Sequence, residues 1–149
     1  MHSCRSLFVI LLAFIVSIST GCRRSERPFR KPVIPVSGKV LVDGKIPDTP
    51  IQITCHPRKG MDQEHPTIST CLTGPDGTFQ VTTYETGDGV PEGEYDVTFV
   101  WKTFNMVSGR FQGEDRLSGR YDRPEKSQIH FNAEAGRPVD LGTIELKTK

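Results

Sequence analysis

From Val36 onward, apolar and polar residues alternate in short runs separated by turn residues. Val36–Val42 is the first run, and Asp43-Gly44-Lys45 after it holds a turn dipeptide. Ile51, Ile53 and Cys55 alternate with Gln52, Thr54 and His56, which predicts a second strand. Thr67–Thr73 predicts a third, with Ile68 and Leu72 on its apolar face, and Gly74-Pro75-Asp76-Gly77 closes it as a turn. Phe79, Val81 and Thr83 alternate with Gln80 and Thr82 in a fourth that ends at Tyr84. The clearest run is Tyr95–Trp101, where Tyr95, Val97, Phe99 and Trp101 share one face. Ile129 and Phe131 give a sixth strand. Val139–Leu146 gives a seventh, in which Ile144 and Leu146 fall out of step with Val139 and Leu141, so Gly142 predicts a β-bulge. Seven short strands without a helical period predict an all-β domain, a single Greek-key β-sandwich.

The N-terminus has a different pattern. Leu7–Ile18 is apolar except for Ser17, with Arg5 before it and Ser19-Thr20-Gly21 after it. A charged start, an apolar stretch and small residues predict an export signal over residues 1–21. The run is short of the roughly 20 residues that span a bilayer. Cys22 follows directly, and Gly-Cys at this junction resembles a bacterial lipobox, although Ser19 stands where Leu is usual. The resemblance implies cleavage before Cys22, lipidation of its thiol and attachment to a membrane through buried CH₂ groups. Residues 22–35, with Pro28, Pro32 and Pro35 among charges, read as the lipid anchor and an extended linker, and residues 36–149 as the domain.

Composition and charge sharpen this division. The whole chain of 149 residues carries 19 Lys+Arg and 18 Asp+Glu, a net charge of +1. Residues 23–31 alone hold five basic groups and one acidic group, so the body beyond them is acidic. An acidic body excludes nucleic-acid binding, whereas a basic tether suits anionic lipid headgroups. The absence of Ala between residues 14 and 132 excludes a helical bundle.

Pro91-Glu92-Gly93-Glu94-Tyr95 has the form of a tyrosine corner, in which Gly93 precedes a Tyr95 whose hydroxyl pins the incoming backbone. Taken in order, Val36-Ser-Gly-Lys-Val40, Asp43-Gly44-Lys45, Pro75-Asp76-Gly77-Thr78-Phe79 and Pro91–Tyr95 resemble a carboxypeptidase regulatory-like domain. Thr82–Tyr84 with Gly87–Pro91, and Asp115–Tyr121, are similar to a group of short bacterial lipoproteins that carry this domain. The resemblance implies a transthyretin-like sandwich in an extracytoplasmic, non-catalytic module, without catalytic residues or cofactor. The expected location is the cell envelope, at the outer membrane or periplasmic face.

Cys55 and Cys71 lie on neighbouring strands and are either a disulfide or two unlinked thiols. The parity of Cys71, opposite to Ile68 and Leu72, requires a bulge for a bridge. His56, His65 and His130 lack metal-ligand spacing, and turn chemistry accounts for Asp76 and Asp88. A metal-dependent enzyme on the same fold is the reading of a different class. The ending Ile144–Lys149 lacks the Tyr-Arg-Gly-Ser-type tail of hydroxyisourate hydrolases, and Tyr84, Tyr95 and Tyr121 lack the ligand spacing of intradiol dioxygenases. Residues 103–126 exceed ordinary loop length. There Phe104, Arg110, Phe111, Arg116, Arg120 and Tyr121 form the candidate interface for an envelope protein or glycan partner. The competing reading has Phe104, Phe111, Leu117 and Tyr121 fold back as apolar cover for the sandwich.

Overall fold

A computed structural model describes residues 29–105 and 107–149. The expected signal and Cys22 lie outside these residues. The described chain is almost entirely strand and loop. Its strands are β1 (Val33–Ile34), β2 (Val36–Val42), β3 (Gln52–Pro57), β4 (Ser69–Leu72), β5 (Thr78–Gln80), β6 (Val90–Pro91), β7 (Gly93–Val100), β8 (Thr103–Asn105), β9 (Arg110–Gln112), β10 (His130–Ala133) and β11 (Val139–Leu146). Among the described residues helix is limited to one 3-10 turn at Pro124–Lys126.

Two sheets make the body, one in the order β10-β7-β3-β4 and the other β11-β2-β5. The first is antiparallel throughout. In the second, β11 runs parallel to β2. Side-chain alternation turns Ile53 and Cys55 of β3 and Tyr95, Val97 and Phe99 of β7 inward. They meet Val36, Val40, Val42, Phe79, Ile144 and Leu146 from the other sheet in one core. Reciprocal Thr70 and Thr82 backbone bonds of 2.9 and 3.1 Å close one seam between the sheets. The predicted irregularity in the last strand is a register shift between Asp140 and Thr143, with Gly142 at φ +64°.

Eleven strands replace the seven expected. The additional four, β1, β6, β8 and β9, have two or three residues each, too short to show a period in sequence. The fourth predicted strand stops at Gln80 rather than Tyr84, because Asp88 captures the backbone beyond it. Its carboxylate accepts the N–H groups of Thr83, Tyr84 and Glu85 at 2.7–3.0 Å.

The facing of the third strand is also corrected. Ile68 and Leu72 are 64% and 45% exposed, while Ser69, Cys71 and Thr73 turn inward. Buried hydroxyls are tolerated there because each is partnered. Ser69 Oγ and Thr83 Oγ1 are 2.7 Å apart, and the Ile51 N–H donates to Thr73 Oγ1 at 2.9 Å.

Tyr95 ties the core to the end of the sheet. Its ring stacks on Phe131 with centroids 5.3 Å apart, and its hydroxyl donates to the Pro91 carbonyl at 2.9 Å. Tyr95→Phe, which removes only this bond, is expected to lower unfolding free energy by about 0.5–1.5 kcal/mol. Phe99→Ala, which opens a cavity among side chains with almost no exposure, is expected to cost about 3–5 kcal/mol. Urea titration followed by circular dichroism measures both.

Candidate functional site

Strand β7 has two ends with different equipment. Pro57 of β3 lies opposite Tyr95 at one end, and Gln52 opposite Val100 at the other. The chain enters at the Tyr95 end, where β1 pairs with β6 through Val33↔Pro91 and Ile34↔Val90. The segment 103–126 leaves from the Val100 end.

That segment divides into two parts. Strands β8 and β9 pair as a hairpin, with Phe104 opposite Phe111 and Asn105 opposite Arg110. The two phenyl rings lie 5.1 Å apart, at 60° to each other, and both are half-buried. Arg110 is exposed and Val107 at the tip is 98% exposed. The core cluster and the side chains packed on it do not include Phe104 or Phe111.

The second part is bound to the body. Asp115 accepts the Trp101 and Leu117 N–H groups on Oδ1, at 2.8 and 3.2 Å, and the Gly119 N–H on Oδ2 at 2.9 Å. Leu117 is thereby fully buried. Tyr121 meets Phe99 edge-on at 6.4 Å, and its hydroxyl accepts the Lys147 N–H at 3.1 Å. The Arg116 guanidinium lies 3.5 Å from the centre of the Trp101 ring and binds Asp48 Oδ1 at 2.6 Å. That hydrogen bond holds the Asp48 carboxyl below its ordinary value. The six candidate interface residues are therefore not one surface. Phe104, Arg110 and Phe111 belong to the hairpin, Arg116 and Tyr121 to the anchored loop, and Arg120 is exposed on that loop.

Cys55 and Cys71 are free thiols on paired strands. Cys55 lies opposite Ser69 and Cys71 opposite Ile53, so the two are diagonal neighbours. Diagonal Cα atoms are typically about 7–8 Å apart, beyond the reach of a disulfide without backbone movement. Burial, and the neighbouring Cys71, push the Cys55 thiol up to about 12, and burial alone does the same to Cys71. At pH 8 their thiolate fractions fall on the order of a thousandfold below that of a free cysteine. Native-state alkylation of both is expected to be correspondingly slow and to become rapid in denaturant, as read by mass spectrometry.

The histidines are engaged separately. His56 Nε2 lies 2.9 Å from Thr98 Oγ1, and the His65 ring meets Phe29 edge-on at 3.9 Å. His130 Nδ1 and Arg58 Nε both reach Asp96 Oδ1, at 2.5 and 2.8 Å. Burial raises the Asp96 carboxyl, but these two bonds outweigh it and hold the group low. Burial lowers His56 against the pull of Asp96 and Glu125. Among the described residues no three His, Cys, Asp or Glu side chains converge to hold a metal ion. No described helix is long and apolar enough to cross a membrane.

Sequence reasoning missed the entry end. Residues 29–34, read as linker, are strapped to the domain. Ile34 is 4% exposed, the Lys31 N–H donates to the Tyr84 hydroxyl at 3.1 Å, and Arg30 and Lys31 form ion pairs with Glu85 and Asp62. Gly89 permits the close approach. It sits at φ +101°, and a Cβ there would fall 1.8 Å from the Ile34 carbonyl oxygen. The signal available in sequence was the apolar pair Val33-Ile34 beside Gly87-Asp88-Gly89.

The strap, Pro57–Asp62, Pro91–Tyr95 and Ala135–Gly136 enclose a cleft of about 440 Å³. The Lys31 hydrogen bond, with those from the His65 and Glu64 backbone, lowers the Asp62 carboxyl from 3.8 to about 2. A carboxyl lowered in the folded state stabilises above its unfolded value and loses that effect as pH falls through the folded one. Hydrogen-exchange protection of the Lys31 amide is therefore expected to be highest at neutral pH and to fall modestly between about pH 4 and 2.

No protein-family model matches the chain, and no curated protein matches it in sequence. Among solved structures it is similar to the crystal structure of a 9R-lipoxygenase from Cyanothece PCC8801, at 14% identity and a TM-score of 0.37. The match covers 81% of this chain and 18% of the lipoxygenase. A likeness at that level bears on neither activity nor substrate.

Proposed function

We propose that this chain is a non-catalytic, lipid-anchored protein of the bacterial cell envelope, whose transthyretin-like sandwich presents a protein-binding hairpin away from the membrane. The observation that carries this reading is the placement of the hairpin Thr103–Gln112 at the end of β7 opposite the entry of the chain. A lipid on Cys22 leaves seven residues before Phe29, a reach of at most about 25 Å. The entry end then lies beside the bilayer. The hairpin stands beyond it by the length of β7, about 26 Å for eight residues.

A ladder of three residue pairs is marginal in water by itself. Phe104 and Phe111 cover each other, yet an apolar tip and Arg110 stay in solvent, a composition that recurs in protein interfaces. A protein partner is favoured over a glycan because Trp101, the platform a sugar ring would need, is 6% exposed and lies under Arg116. The order of turn motifs between residues 36 and 146 supports the carboxypeptidase regulatory-like family for the same span.

The test replaces residues 104–111 by Asn-Gly, a two-residue hairpin turn. The melting temperature is expected to stay within about 4 °C, while proteins crosslinked to the parent chain in intact envelopes are lost. In parallel, Leu117→Ala is expected to cost about 2–5 kcal/mol, and Cys22→Ser to move the protein into the soluble fraction. Crosslinks that survive hairpin removal, or a Cys22→Ser protein that still sediments with membranes, overturn the reading.

A further inference from the structure

The cleft at the entry end has the dimensions and chemistry of a ligand site, and it owes nothing to the hairpin. Its volume of about 440 Å³ falls within the range of small-molecule pockets. Pro32, Val33, Ile34, Pro57, Met61 and Tyr95 supply apolar lining. The lining carries three acidic groups, Asp62, Glu92 and Glu94, and two basic ones, Lys31 and Lys59. Asp62 and Lys31 neutralise each other as an ion pair. Among the described residues neither Glu92, Glu94 nor Lys59 makes a side-chain hydrogen bond or ion pair, which leaves one negative charge in excess.

We propose that this cleft binds a small organic cation with an apolar body, such as an aromatic or branched alkyl amine. The apolar part lies among Val33, Pro57, Met61 and the Tyr95 ring, and the ammonium lies toward Glu92 and Glu94. Carboxylates at an open rim discriminate by charge more than they add affinity. Specificity for a cation over its neutral isostere is therefore modest, and rejection of an anion is larger. One wall of the cleft is the strap itself. A ligand that needs this wall binds only the strapped state and stabilises it by mass action.

Three probes share a phenyl ring and a two-carbon arm, namely phenethylammonium, 2-phenylethanol and 3-phenylpropionate. They are titrated into the full chain carrying ¹³C-methyl methionine and valine. Phenethylammonium is expected to shift the Val33 and Met61 methyl signals saturably, in the millimolar range or tighter, and to leave Val107 unmoved. Phenylpropionate is expected to bind at least about threefold more weakly than the alcohol, and the alcohol more weakly than the amine. Glu92→Gln with Glu94→Gln is expected to reduce amine affinity about three- to tenfold and leave the alcohol unchanged. The alcohol thus reports an intact cleft in the variant. The proposal is overturned if no probe gives a saturable shift at Val33 and Met61 up to about 10 mM. It is also overturned if the anion binds as well as the amine, or if the double variant treats all three probes as the parent does. None of these outcomes touches the hairpin reading, which is scored by crosslinking.

Discussion

Alternation along β7 and the residue after it puts Tyr95, Val97, Phe99 and Trp101 on one side of a central strand, and the rest of the domain is located by what it does to that row. β3 and β10 flank the strand, and the second sheet closes over it. Each end of the row is fastened by a polar bond from its own aromatic residue. Tyr95 donates to Pro91, while the Trp101 indole N–H reaches Thr49 Oγ1 at 2.9 Å under the Arg116 guanidinium. Those two fastenings fix where the loops depart. The Tyr95 end becomes the place where the chain enters and the cleft forms. The Trp101 end becomes the base of the projecting hairpin.

Sequence legibility follows burial and strand length. The row was readable because Tyr95, Val97, Phe99 and Trp101 recur at every second position along β7 and the residue just beyond it. The bulge at Gly142 was readable because two halves of one strand disagreed in parity. Facing failed at β4, where apolar Ile68 and Leu72 point outward and Ser69, Cys71 and Thr73 inward. A hydrophobic rule misreads a strand whose inner side chains are hydroxyls satisfied by neighbours. The two-residue ladder β1–β6 is too short to show a period, and its apolar pair Val33-Ile34 was the one cue. Of the candidate interface, residue types were legible but allegiance was not. Phe104 and Tyr121 look alike as scattered aromatics, but Asp115 gathers three backbone N–H groups and the Phe99 N–H donates to the Tyr121 carbonyl at 2.8 Å, so the second folds back while the first stays out.

Charge reads differently once the strap is in place. The basic run at residues 23–31 looks in sequence like a uniform electrostatic tether. In the fold, Arg30 and Lys31 are committed to Glu85 and Asp62. Both charges are therefore engaged within the domain. The free positive charge in this run is smaller than the sequence count by these two.

The strap also sets how the domain bears load. Tension arriving through the chain before Phe29 meets the Arg30 and Lys31 contacts first and then β1–β6, a ladder of two residue pairs that separates one pair at a time. The next element, β2, is held along its length between β11 and β5, where separation requires many bonds to fail together. Residues 29–33 therefore yield before the core does. They lengthen the chain by less than their full contour of about 17 Å before Ile34 is drawn from the core.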